Sequence, residues 1–206
     1  MSLQLINTFA SLATFFVIAA TAIAAIVQLR HARSSNQITA LNELLGAQQT
    51  PEYKEARHFV HTKLPELLKD AAFRYQLVAY MNKEQVGAEA ETQIVRITVV
   101  ADFYENMGLL VKRGFIERES TLDCWAYTLI AEWGRLEPAI VRCRRAAGDS
   151  LWENFEYLVV LAQAWHAAHP NGCYPAGMKR IVPADDEWTE ADRQYAASLS
   201  AAPVLN

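Results

Sequence analysis

The stretch "ETQIVRITVVADFYENMGLLVKR", Glu91 to Arg113, decides the fold. On a wheel of about 100° per residue, Thr98, Asp102, Glu105, Asn106, Lys112 and Arg113 share roughly a third of the circumference, and apolar residues fill most of the rest. An apolar arc that wide predicts a helix with neighbours on two sides. The β-branched run "IVRITVV" would suit a strand, but its polar residues keep a helical period and no turn signal arrives before Gly114.

Outward from this stretch, helix signals recur and strand signals do not. "SSNQITALNELLGAQQ" (34–49) places Ile38, Leu41, Leu44 and Leu45 on one side. "TPEYKEARHFVHTKL" opens with Thr50 as an N-cap and Pro51 at the first helical position, where a missing N–H costs nothing. Pro65 restarts the chain into "PELLKDAAFRYQLVAYMNKEQ". "STLD" and "SLWE" are Ser-x-x-acid boxes and predict helix starts near Leu122 and Leu151. The expected fold class is all-α, with 1–33 an anchor and its basic flank, 34–169 a helical bundle, and 170–206 an acidic tail containing Pro and Gly.

The anchor is read from Thr8 to Val27, twenty residues without a formal charge. At 1.5 Å per residue that run matches a hydrocarbon core of roughly 30 Å. A cleaved signal would place Lys or Arg ahead of a short apolar core. Here no charged side chain precedes Arg30, and Arg30, His31 and Arg33 all follow the run as its membrane-interface flank. Lys and Arg gather in the cytoplasmic flank, so the expectation is a single-pass protein of a bacterial inner membrane, N-terminus outside and the following domain cytoplasmic. Three scattered cysteines, Cys124, Cys143 and Cys173, suit a reduced compartment. Within the span Ala13, Ala20 and Ala24 lie on one side with Thr21 and Ala25 adjoining, a small-residue face of the kind that lets transmembrane helices approach closely.

The net charge of −4 argues against a nucleic-acid partner, which would call for a basic stripe. The charge is uneven. From Val182 onward Asp185, Asp186, Glu187, Glu190 and Asp192 face Arg193 alone, so the tail carries the whole chain's net charge. Trp188 in that acidic segment is a candidate docking residue, whereas Trp125, Trp133, Trp152 and Trp165 fall on apolar helical stripes and are expected in the core.

"DFYENMGLLVKRGFIE", "WGRLEPAIVRCR" and "WENFEYLV", in that order behind an apolar N-terminal helix, resemble the bacterial domain-of-unknown-function family numbered 4760. The resemblance implies an anchored helical domain and supplies no activity.

Glu105, Arg142 and Glu156 interrupt otherwise apolar helical patterns and are expected to form a structural polar core of paired charges that fixes helix register. Arg96 is expected to snorkel or pair with a carboxylate. The sharpest enzymatic alternative is a metal site. "EARH" puts Glu55 and His58 at the i, i+3 spacing of di-iron bundles, with His61 one turn on and Glu105 as a further carboxylate. That motif occurs once where such bundles need it twice. "WHAAHPNGC" offers His166, His169 and Cys173 to zinc but no evident fourth ligand. No nucleophile elbow, Walker loop or dinucleotide fingerprint is present, so no catalytic residue and no cofactor are expected. The expected partners are the lipid bilayer and a membrane protein or a second copy, and the expected role is protein–protein interaction as an accessory or scaffold subunit.

Overall fold

A computed structural model describes residues 3–182 and 188–201, with side chains from Leu12 onward except at 33, 34 and 199–201. The side chain of Arg33, and Asp185, Asp186 and Glu187 of the acidic tail, lie outside the described residues. The described residues form eight α-helices and no strand.

The first helix, α1 (Leu3–Gln49), is continuous through "LRHARSS". At 1.5 Å per residue its 47 residues extend roughly 70 Å. It contains a window of mean hydropathy 2.3, long and apolar enough to cross a membrane, none of which is buried. Only its C-terminal part reaches the bundle, where Leu44 is buried and Ala40 packs on the core.

The helix α2 (Pro51–Thr62) begins as its sequence dictates: Thr50 Oγ1 accepts from the Tyr53 N–H at 3.2 Å and Pro51 occupies the first turn. The segment expected to run on from Pro65 is instead broken into α3 (Leu64–Leu67) and α4 (Ala71–Met81). Asp70 sits between them and caps α4 by accepting from the Ala72 N–H at 2.9 Å. The deciding stretch is α5 (Ala88–Lys112), packed between α2 on one side and α7 on the other, with Ile94, Ile97, Val100, Ala101, Tyr104 and Met107 all buried. It ends in a Schellman turn. Gly114 takes φ 70°, a left-handed conformation that needs no Cβ, and the Phe115 N–H reaches the Leu110 carbonyl at 2.9 Å.

One start is earlier than the sequence expectation, the other falls within two residues of it, and neither uses its serine as a cap. The next helix, α6 (Arg118–Ala147), begins before Leu122, and the Ser120 hydroxyl donates to the Glu117 carboxylate rather than capping a backbone N–H. The seventh, α7 (Glu153–Ala168), follows Trp152 in the left-handed conformation at φ 55°, and no side chain of its own segment caps it. The first serine box loses to a local contact with Glu117, and the second to one made from elsewhere in the chain. The helix α6 packs on α4 and α7.

The chain divides into two compact units after Gly172. The second contains α8 (Thr189–Ala201), which carries Glu190 and Asp192 in its first turn and an Arg193–Glu190 ion pair at 3.2 Å. Trp188, just ahead of it, is exposed.

Candidate functional site

Two polar clusters lie inside the bundle, one at each face of α5. At the α7 face, Asp102, Glu105, Gly108 and Lys112 form a helical stripe. Glu105 Oε2 accepts the backbone N–H groups of Asn154 and Phe155, both at 2.9 Å, and its Oε1 accepts from Asn154 Nδ2 at 2.7 Å. The carboxylate thus fills the place of an N-cap from another helix and sets a negative charge at the positive end of α7. Trp152 Nε1 donates to Asp102 at 2.7 Å, and Lys112 Nζ donates to Asn154 Oδ1 at 3.0 Å. Gly108 lets the helices meet. A Cβ there would fall 2.1 Å from the Asn154 carbonyl oxygen.

Arg144 closes this junction from α6. Its Nη1 pairs with Glu156 at 2.6 Å, its Nε donates to the Leu151 carbonyl at 2.9 Å, and its guanidinium lies over the Trp133 ring. Of the three residues read as a polar core, Glu105 therefore sits at the junction and Glu156 is exposed at its rim. Arg142 is half-buried and stands apart, since the arginine that pairs is Arg144, two positions on. Two positions turn a helix by about 200°, so Arg142 and Arg144 face nearly opposite ways.

At the α2 face lies the residue that sequence reading missed. Glu132 of α6 is 1% exposed. Its Oε1 accepts from Arg57 Nε at 3.0 Å and lies 2.9 Å from Arg57 Nη2 and 2.7 Å from His61 Nε2. Its Oε2 is buried with no hydrogen-bond partner. Above it opens a cleft of about 480 Å³, lined by Arg57, His58 and His61 from α2, Gln48 from α1, Tyr104 from α5 and Trp125 from α6. Tyr53 and Tyr104 form a buried hydroxyl pair at 3.3 Å. Burial raises the pKa of both phenols, and the nearby Glu132 charge adds to that rise. Burial pulls Arg57 down, but its bond to Glu132 outweighs this and leaves it raised. The arrangement keeps a fixed cation and neutral hydroxyls at the cleft floor.

The metal alternative does not assemble. His61 is turned onto Glu132, Glu105 is spent on α7, and Glu55 and His58 are exposed. Among the described residues no three His, Cys, Asp or Glu side chains converge. His169 lies against the Trp165 ring at 4.2 Å, with Nδ1 2.9 Å from that residue's carbonyl. Arg96 stacks over Phe59 at 5.5 Å instead of meeting a carboxylate.

The family model for a domain of unknown function, DUF4760, matches residues 15–165. The chain belongs to this family. The matched region runs from within the apolar part of α1 almost to the end of α7, so both polar clusters lie in the DUF4760 region. No curated protein and no solved structure matches the chain.

Of the four tryptophans expected in the core, Trp152 is buried and Trp125, Trp133 and Trp165 pack partly buried against it. The small-residue face of α1 is exposed at Ala13, Ala20, Ala24 and Ala25. Thr21 Oγ1 donates within its own helix, to the carbonyls of Val17 and Ile18. Arg30 and His31 are exposed just beyond the apolar run.

Proposed function

We propose that this DUF4760 protein is a single-pass membrane-anchored helical protein that acts by protein–protein interaction, as an accessory or scaffold subunit of a membrane assembly. The observation that carries the reading is α1: one unbroken helix holds an apolar window with no burial and then enters the bundle. An apolar face that long, left uncovered, suits lipid as its solvent. The arginines after the run favour an N-terminus outside and a cytoplasmic bundle in a bacterial inner membrane. The small-residue face of Ala13, Ala20, Thr21, Ala24 and Ala25 is then the surface for a membrane partner or a second copy.

A reporter active only outside the cytoplasm, fused after Asn206, is expected to stay silent. Strong activity reverses the orientation. Ala20→Leu with Ala24→Leu is expected to preserve insertion, since leucine is more apolar, and to release the chain from its complex or oligomer on a native gel. Unchanged migration beside the parent reduces the helix to a tether.

A further inference from the structure

The cleft above Glu132 shares a wall with a neighbouring cavity. This second cavity, of about 290 Å³, is lined by Ile38, Leu41 and Leu45 of α1, by Ile116, and by Cys124 and Trp125 of α6. Trp125 is a wall of both cavities. The walls run in parallel: 37–45 of α1 lie opposite 117–125 of α6 in the apolar stretch, and Gln48 and Gln49 lie opposite Trp125 and Thr128 in the polar one. The helix α1 meets the bundle chiefly through α2 and α5, which leaves the gap to α6 open.

The two stretches differ in chemistry. In the apolar one Ile38, Leu41 and Leu45 are 59%, 42% and 42% exposed. At roughly 25 cal/mol per Å², covering them is favourable. The sole acid on its lining among the described residues, Glu117, sits at the far end and is engaged by Ser120. The polar stretch has Lys54 and Arg57 and no carboxylate on its lining; Glu132 lies behind. Glu132 engages only the Nε and Nη2 side of Arg57, so the Nη1 donors remain for the cleft. Gln49 and Thr128 add uncharged donors there.

We propose that the two cavities join past Trp125 and bind a single-chain anionic amphiphile, a long-chain fatty-acid anion, with its carboxylate at Lys54 and Arg57 and its hydrocarbon chain along Ile38, Leu41 and Leu45. Charge complementarity fixes the head at the polar end, and the exposed apolar side chains beyond the shared wall, Trp125, take the chain. The apolar end is the one nearer the uncovered run of α1, so a chain entering from a lipid phase meets the trough first.

Cys124 reports occupancy, because it lies exposed on the trough while Cys143 is buried. In the full chain carrying Cys173→Ser, held in phosphatidylcholine nanodiscs, the rate of Cys124 alkylation by a maleimide is measured against added oleate. Oleate is expected to slow alkylation several-fold and saturably, oleyl alcohol to have little effect, and Lys54→Glu, at an exposed position, to raise the oleate needed several-fold. An unchanged rate overturns the proposal. Equal protection by oleyl alcohol overturns it too, because no head is then recognised. Protection that grows with protein concentration without oleate assigns the trough to a second copy and likewise overturns it.

Discussion

At the α5–α7 junction the Glu105 carboxylate accepts three N–H groups, and the neighbouring Trp152 and Asn154 find Asp102 and Lys112. At the α2–α6 contact the Glu132 carboxylate crowds Arg57 and His61 onto one oxygen and leaves the other buried and unpartnered. Both carboxylates bridge helices distant in sequence. The first is saturated and closed, and the second is under-used beneath an open cleft. Buried polar groups are normally satisfied, so a complete set marks a contact that holds the fold, while an incomplete one marks a place where a ligand or solvent finishes the set.

That contrast predicts the sharpest loss at the saturated side. Glu105→Ala strips two backbone N–H groups at the start of α7 and the Asn154 amide of their acceptor; at about 1–3 kcal/mol per unsatisfied buried donor, a loss of about 4 kcal/mol is expected in chemical denaturation. Glu105→Gln, which keeps an acceptor, should lose less than half as much. A parent-like midpoint for Glu105→Ala breaks the comparison at its stronger end.

Gly108→Ala follows. With the new Cβ 2.1 Å from a backbone oxygen, α5 and α7 must part. Overpacking of this kind costs about 3 kcal/mol. Because both changes open one junction, the double variant is expected to lose less than the sum, and strict additivity in a double-mutant cycle counts against a shared junction.

The same contrast explains what the sequence disclosed. Thr50 with Pro51 announced a helix start because cap and helix are adjacent in the chain. The period of Ile94 to Val111 announced a central helix because periodicity is local. Ser150 misled, since the donors at the start of α7 are met by Glu105, 49 and 50 residues away. Glu132 in "IAEWGRL" looks like any solvated acid, and its burial depends on Arg57, 75 residues distant. "RCRR" offers several arginines to a reader, and only helix phase selects Arg144. The fold was therefore legible where causes are local, and the clusters were legible only as residue types.

A further loss is expected at alkaline pH, drawn from buried groups of α2, α5 and α6. Burial raises the Cys143 thiol from 9.0 to about 12, and burial likewise raises the phenols of Tyr53 and Tyr104 above 10.0. Each group keeps its proton in the folded chain beyond the pH at which the unfolded chain releases it. Stability from these groups is thus complete below pH 9 and declines as pH rises toward the folded values, the thiol alone contributing about 1.4 kcal/mol per pH unit across that window. Tyrosinate absorbance should show two phenols that titrate only with unfolding. A flat denaturation midpoint from pH 8 to 11 contradicts the burial.

The smallest effect is expected where the buried charge looks most dramatic. Removing one member of a buried ion pair is severe when it strands the other away from water. Here the partners are not stranded, because the Arg57 side chain is 44% exposed and His61 28%. Glu132→Gln keeps an acceptor for both, relieves a carboxylate whose second oxygen gains nothing from its surroundings, and leaves Arg57 free to hydrate at the cleft. The lost attraction and the recovered desolvation nearly offset, so a change below about 1 kcal/mol is expected. Set beside Glu105→Gln, the substitution asks one question of two carboxylates at the same chemical change. If Glu132→Gln proves as damaging as Glu105→Ala, the second oxygen is satisfied after all, the α2–α6 contact is as structural as the α5–α7 junction, and the cleft loses its distinction from the rest of the core.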